Sequence, residues 1–224
     1  MGQPLFKQFL AWITGNAITT FARFITAVRA IWDGVEPVPA QRVYFANHTS
    51  NGDFILIWTV LPPNLRSRTR PVAGADYWLT SPLRTFIGRD VFNAVLIDRN
   101  SETRTDDPMQ LILDGIDTGA SLIIFPEGTR NMTDAPLLPF KSGIFNISEA
   151  RPEVDLVPVW IDNLNDVMPK GKLVPIPLLC TVTFGAPIRA EAGEAREDFL
   201  KRAEAALLNL APKDKQPVDA EVAA

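Results

Sequence analysis

The sequence predicts an α/β fold: a mixed, largely parallel sheet flanked by helices, preceded by an N-terminal amphipathic helical segment. Three observations carry this. Short apolar runs rich in β-branched and aromatic residues recur at 42–46 (RVYFA), 70–74 (RPVAG), 92–97 (FNAVLI), 121–125 (SLIIF), 154–161 (VDLVPVWI) and 178–184 (LLCTVTF). Helical stretches lie between most of them, at 53–60, 77–86, 108–118 and 143–150, and a last one at 190–211 follows the final strand. Strands alternating with helices favour a sheet covered on both faces. Length and composition agree, because 224 residues with 46% hydrophobic and 21% charged side chains suffice for one real core.

The elements follow in order. Residues 4–32, PLFKQFLAWITGNAITTFARFITAVRAIW, carry Lys7, Arg23 and Arg29 and no acid before Asp33. Leu5, Phe9, Ile13, Ala17, Phe21, Phe24, Val28 and Ile31 fall at helical spacing, with Trp12 and Trp32 beside them. The uncharged core, Gln8 to Ala22, is 15 residues long. A membrane-spanning helix needs roughly 20, and no small-residue cleavage site marks a signal peptide. The stripe fits one helix, or a pair broken near Gly15. It either packs on the protein's own core or lies in a membrane interface. Residues 1–36 therefore stand apart as an N-terminal helical unit, and 37–212 form one α/β domain with no internal linker. The run 42–46 is the first strand, and Asp53 opens the helix after it. The helix 190–211 stops at Pro212. The tail at 213–224 is polar and loose.

Composition also excludes some functions. A net charge of −4 and the lack of a basic stripe argue against a nucleic-acid partner. One cysteine rules out an intramolecular disulfide and fits a reducing compartment. With a single histidine as well, a zinc site is not expected, and no metal is assigned. Cys180 falls in an apolar strand and reads as buried packing.

Open α/β sheets place their chemistry in loops past the carboxyl ends of strands. Three polar clusters occupy such positions: NHTSNGD after 42–46, DRN (98–100) after 92–97, and PEGTR (126–130) after 121–125. They share one edge of the sheet. His48, the only histidine, precedes Asp53 by five residues. Histidine side chains titrate near neutrality and serve as general bases. A carboxylate can hold one ring nitrogen and stabilise the imidazolium that forms. The plainer reading makes His48 a turn residue and Asp53 a helix cap. In FPEGTR, Glu127, Gly128, Thr129 and Arg130 combine an acceptor, a flexible turn, a hydroxyl and a permanent cation. That set suits a phosphate and a neighbouring hydroxyl. Its plainer reading is a surface Glu–Arg pair worth at most about 1 kcal/mol. Arg99 is a second phosphate candidate, with a salt bridge to Asp98 or another acid as the alternative.

NHTSNGD resembles the His-x4-Asp motif of the glycerolipid acyltransferase family, whose type members are the 1-acylglycerol-3-phosphate (lysophosphatidic acid) acyltransferases. NAVLIDR (93–99) resembles the family's second block, FPEGTR its third with PFKSGIF (139–145) as the extension, and LVPVWI (156–161) its fourth, proline-centred block. The four come in family order and span about half the chain. The resemblance implies a glycerol-phosphate acyltransferase-like fold. It also implies transfer of a fatty acyl group from acyl-CoA or acyl carrier protein to the sn-2 hydroxyl of lysophosphatidic acid, giving phosphatidic acid, with no cofactor. On that pattern His48 is the general base and Asp53 orients it. Arg99 and Arg130 hold the acceptor's phosphate, Glu127, Gly128 and Thr129 shape the glycerol end, and Pro158 belongs to the acyl-donor side.

The alternatives are another lysophospholipid or a lyso-aminolipid as acceptor, a lipid or thioester hydrolase, or a non-catalytic lipid-binding protein. One departure stands out. Many relatives carry a lysine between the first two blocks, whereas VAGADYWLTSPLRTFIG (72–88) has none and offers only Arg84. Arg66, Arg68 and Arg70 read as a solvated loop. Because acceptor and product are lipids, the N-terminal stripe is expected to be an interfacial anchor. The protein then sits peripherally on the cytoplasmic face of a membrane.

Overall fold

Val43, Tyr44, Phe45 and Ala46 are all buried. Successive strand residues point to opposite faces, so a strand with four such residues needs cover on both sides. The computed structural model, which describes residues 4–100, 104–162 and 179–215, provides it. The strands are β1 (Arg29–Trp32), β2 (Arg42–Ala46), β3 (Thr69–Gly74), β4 (Val95–Ile97), β5 (Ser121–Ile124), β6 (Asp155–Asp162) and β7 (Thr181–Phe184). They form one sheet in the order β1-β7-β6-β2-β5-β3-β4. Neighbours from β6 to β4 run parallel, β7 is antiparallel to β6, and β1 is parallel to β7. This is the expected mixed, mostly parallel sheet.

Eight α-helices are described: α1 (Leu5–Thr26), α2 (Asp53–Val60), α3 (Pro63–Arg66), α4 (Ala75–Trp78), α5 (Pro82–Phe86), α6 (Pro108–Asp117), α7 (Gly143–Ala150) and α8 (Arg196–Leu208). Tyr44, Ala46, Ile123 and Val157 pack on one face with Ile57 of α2 and Phe92. Val43, Phe45, Leu122 and Leu156 pack on the other with Ile116 of α6, Ile144 of α7 and Phe199 of α8.

The structure differs from expectation in three places and decides between two readings in a fourth. Residues 29–32 do not continue the N-terminal helix. They form the edge strand β1, with Trp32 stacked on Phe184 at 4.1 Å between centroids. A boundary at residue 36 therefore cuts off a strand of the sheet. Helix α1 also runs unbroken through Gly15, whose missing Cβ would lie 3.3 Å from the Trp58 ring, so this glycine lets α1 approach α2 closely. The stretch 77–86 is not one helix. Pro82 disfavours a helical conformation at Ser81, which is extended (φ −151°, ψ 155°), and the Ser81 hydroxyl caps α5 by accepting from Arg84 N–H. A single π-helical stretch, Ile87–Val91, then leads to Phe92. Finally, α8 begins at Arg196 rather than 190, because Gly193 adopts φ +77° in a turn before it. Most of the expected loose tail, 216–224, lies outside the described residues.

Candidate active site

Strands β2, β3, β4 and β5 are parallel, so their following loops meet at one edge, as predicted. Local chemistry then fixes the first loop. The Asn47 side chain donates to the Ile161 carbonyl at 3.0 Å and accepts from Ile161 N–H at 2.8 Å, tying the loop to β6. The backbone N–H of His48 donates to Glu127 Oε1 at 2.7 Å, and its carbonyl accepts from Asn131 N–H at 2.6 Å. His48 is thus clamped on both sides of its own Cα.

Asp53 sits in the first turn of α2, where the helix dipole favours a carboxylate, and it is fully buried. Its Oδ2 accepts from three donors: the His48 ring through Nδ1 at 2.8 Å, Thr49 N–H at 2.7 Å and Ser50 N–H at 2.8 Å. With Nδ1 committed, Nε2 is the ring nitrogen left for an incoming group. The ring lies nearly parallel to Phe125 at 4.2 Å, and the histidine side chain retains 19% exposure. A base with one nitrogen oriented by a buried carboxylate and the other open can accept a proton.

His48 lines a cleft of about 630 Å³. One wall comes from α6 and α7 through Met109, Ile112, Ile144 and Ile147. The other comes from β3 and α4 through Val72 and Trp78. The walls are mostly apolar, and the exposed charged residues of the lining are Arg99, Arg104, Lys141 and Asp107.

The remaining predicted residues divide. Arg99 reaches the cleft wall, but its guanidinium is held by Asp76 at 3.2 and 2.7 Å. The Arg99 guanidinium beside Asp76 pulls that carboxyl below the usual range. A Cβ on Gly74 would meet both members of this pair and displace their side-chain ends. Gly128 lines the cleft at φ +70°, a conformation that favours glycine. Thr129 and Arg130 are exposed, and neither is on the cleft wall.

Glu127 is buried, at 2% exposure, and both of its oxygens serve backbone: Oε1 accepts from His48 and Oε2 from Leu138 N–H at 2.8 Å. Burial pushes its carboxyl up, while the two N–H donors work against that rise. Pro158 is internal to β6, opposite Phe45.

Sequence reasoning missed Asn47 and Asn131 as loop anchors, and Asp76, Arg104 and Lys141 near the cleft. Only Lys141 gave a signal, within PFKSG. Arg84 stays away from the cleft, packed over Tyr77 at 4.5 Å. Arg66 is no loose cation, since it donates to the Trp58, Thr59 and Leu61 carbonyls at the end of α2.

Fold and site define an α/β protein whose one histidine, oriented by a buried carboxylate, opens onto a mostly apolar cleft rimmed by charged residues. The chain belongs to the acyltransferase family, whose profile matches residues 30–162. It is 26% identical over 220 residues to a 1-acyl-sn-glycerol-3-phosphate acyltransferase of Cocos nucifera, covering 94% of this chain and 63% of that one. Over 138 residues it is 29% identical to the enzyme of the same description from Salmonella typhimurium, covering 58% of this chain and 51% of the relative. The chain thus spans between half and two thirds of these relatives' length. The crystal structure of the 1-acyl-sn-glycerophosphate acyltransferase PlsC from Thermotoga maritima superposes with a TM-score of 0.66 at 20% identity. That match covers 92% of this chain and 84% of that one, and it is a likeness of fold.

Proposed function

We propose that the chain transfers a fatty acyl group from the thioester of acyl-CoA or acyl carrier protein to the sn-2 hydroxyl of lysophosphatidic acid, giving phosphatidic acid. The observation that carries this is the His48–Asp53 pair, whose imidazole lines a mostly apolar cleft while the carboxylate is buried behind it. The names of its relatives supply the substrate class. His48 Nε2 takes the proton of the acceptor hydroxyl as that oxygen attacks the thioester carbonyl carbon. The tetrahedral intermediate collapses, the C–S bond breaks, and the imidazolium returns its proton to the leaving thiolate. Asp53 keeps Nδ1 protonated and stabilises the transient positive charge. The substrate brings the nucleophile, so no enzyme-bound acyl group forms, and the chemistry requires no cofactor.

The test is an assay of purified protein with a panel of lysolipids and both kinds of thioester. The expected result is acyl transfer to lysophosphatidic acid with stoichiometric thiol release. Thiol release at the same rate without any acceptor overturns the reading and identifies a thioester hydrolase.

The acceptor is a lipid, and α1 is built to meet one. Its buried positions are small or polar, Ala11, Gly15, Thr19 and Thr26. Ile18 and Ile25 pack partly against the core, but Phe6 (76% exposed), Trp12 (66%) and Phe24 (85%) face outward. Among the described residues no helix is long and apolar enough to cross a membrane. An outward aromatic face with Lys7 and Arg23 on the same helix suits the interfacial region of a bilayer. Replacing Trp12 and Phe24 together by glutamate is expected to abolish flotation with anionic vesicles. The thermal midpoint should stay unchanged, because both side chains are exposed. Flotation equal to wild type disproves the anchor.

A further inference from the structure

Arg99, Arg104 and Lys141 line the cleft, but they are not equivalent. Asp76 counters the charge of Arg99 at 2.7 Å, and Arg104 adjoins 101–103, outside the described residues. Lys141 stands between strand-edge loop and α7, and its backbone N–H donates to the Pro126 carbonyl at 2.9 Å, fixing its Cα beside the FPEGT turn. From there the side chain lies across Gly128. A Cβ on Gly128 would come within 2.6 Å of Nζ, 2.7 Å of Cε and 2.8 Å of Cδ. A side chain at 128 would push the flexible end of the lysine aside.

The same turn carries Phe125, on which the His48 ring stacks, and His48, Phe125, Gly128 and Lys141 all line the cleft. Among the described residues no carboxylate lies within 4 Å of the ammonium to neutralise it. The lysine is also exposed, so an anion can reach it without displacing packed structure. An unneutralised ammonium carried on a flexible stem at the cleft wall can bind a phosphate.

Building on the acyl-transfer reading, we propose that Lys141 binds the phosphate of the acceptor lipid and that Gly128 positions it by leaving its side chain room. The shared chemistry is a phosphate monoester or diester, and the acceptor's phosphate is favoured over the donor's because Lys141 lies over Gly128 in the same FPEG turn whose Phe125 stacks on the His48 ring.

The experiment titrates three ligands by calorimetry into wild type, Lys141→Met and Lys141→Arg. The ligands are a short-chain lysophosphatidate kept below its critical micelle concentration, the monoacylglycerol of the same chain, and coenzyme A. Methionine keeps an unbranched stem and removes the charge. Lys141→Met is expected to weaken lysophosphatidate binding about tenfold to a hundredfold, to leave monoacylglycerol and coenzyme A unchanged, and to melt like wild type. Lys141→Arg should keep most of the affinity. Unchanged lysophosphatidate affinity in Lys141→Met overturns the proposal, as does a loss confined to coenzyme A. Binding is read without turnover, so a protein that binds in this way yet transfers no acyl group refutes the acyl-transfer reading alone.

Discussion

His48→Ala is expected to lower the rate of acyl transfer by a factor of about 10² to 10⁴ while the protein still folds. Transfer to an alcohol needs a base within reach of the hydroxyl, and the chain has one histidine to offer. The two carboxylates bonded to His48 are already committed. Glu127 has both oxygens on backbone N–H groups, and Asp53 is fully buried behind the ring. Truncation at 48 is also structurally mild. The loop is held by the backbone of His48 and by Asn47, none of which the substitution removes. Asp53 keeps two of its three donors. What is lost is one partly exposed ring and its stacking on Phe125, an effect of about 0.5–1.5 kcal/mol. Asp53→Ala is the poorer probe, since it strips the Thr49 and Ser50 amides of their acceptor and unsettles the turn along with the base. The measurement is kcat/KM for acceptor together with a melting curve. A wild-type rate in His48→Ala ends the general-base assignment.

How much of this was legible in the sequence depends on the range of the interaction concerned. β2, α2 and α7 are found where the sequence places them, because hydrophobic periodicity and flanking turn residues are local signals. The convergence of the three loops also followed from local order, since parallel strands deliver their C-termini to one edge. β1 was hidden because Arg29–Trp32 continues the helical spacing of the stripe, and only pairing with β7 makes it extended. The inward face of α1 was hidden for a related reason. Large apolar residues suggest the buried side, yet here Ala11, Gly15 and Thr19 face the protein because small residues let α1 lie close to α2.

In the site, residue type alone located the functional edge but not the direction of each side chain. Glu127 reads as a polar residue available to a ligand, and in the fold it turns back into the loops. Arg99 reads as a phosphate ligand or as the partner of Asp98 or another acid, and the acid is Asp76, more than twenty residues upstream. Both outcomes are set by tertiary contacts, which a single sequence does not display.

Glu127→Ala tests the inward orientation of that carboxylate. The prediction is a loss of about 2–5 kcal/mol of stability, because two backbone N–H groups, those of His48 and Leu138, lose their acceptor at a buried site and each unsatisfied donor costs about 1–3 kcal/mol. In a domain of this size that lowers the melting temperature by roughly 5–20 °C. Activity should fall as well, by about 10²-fold, through displacement of His48 rather than loss of a substrate contact. A ligand role makes the opposite forecast: a raised KM for acceptor with an unchanged melting curve.

Glu127→Gln sharpens the test. Its amide oxygen satisfies one N–H and its NH₂ opposes the other, so the loss should fall between wild type and alanine. The pH dependence follows from burial, which holds the Glu127 carboxyl above its usual range. Between the ordinary glutamate value, about 4.3, and the raised one, the native state binds this proton more tightly than the unfolded chain does. The contribution of Glu127 to stability is therefore greatest below that interval and declines as the pH rises through it. Glutamine carries no such proton, so the stability gap between wild type and Glu127→Gln should narrow over the same interval. A gap that widens as the pH rises means that the two amides, not burial, dominate the carboxyl's ionisation.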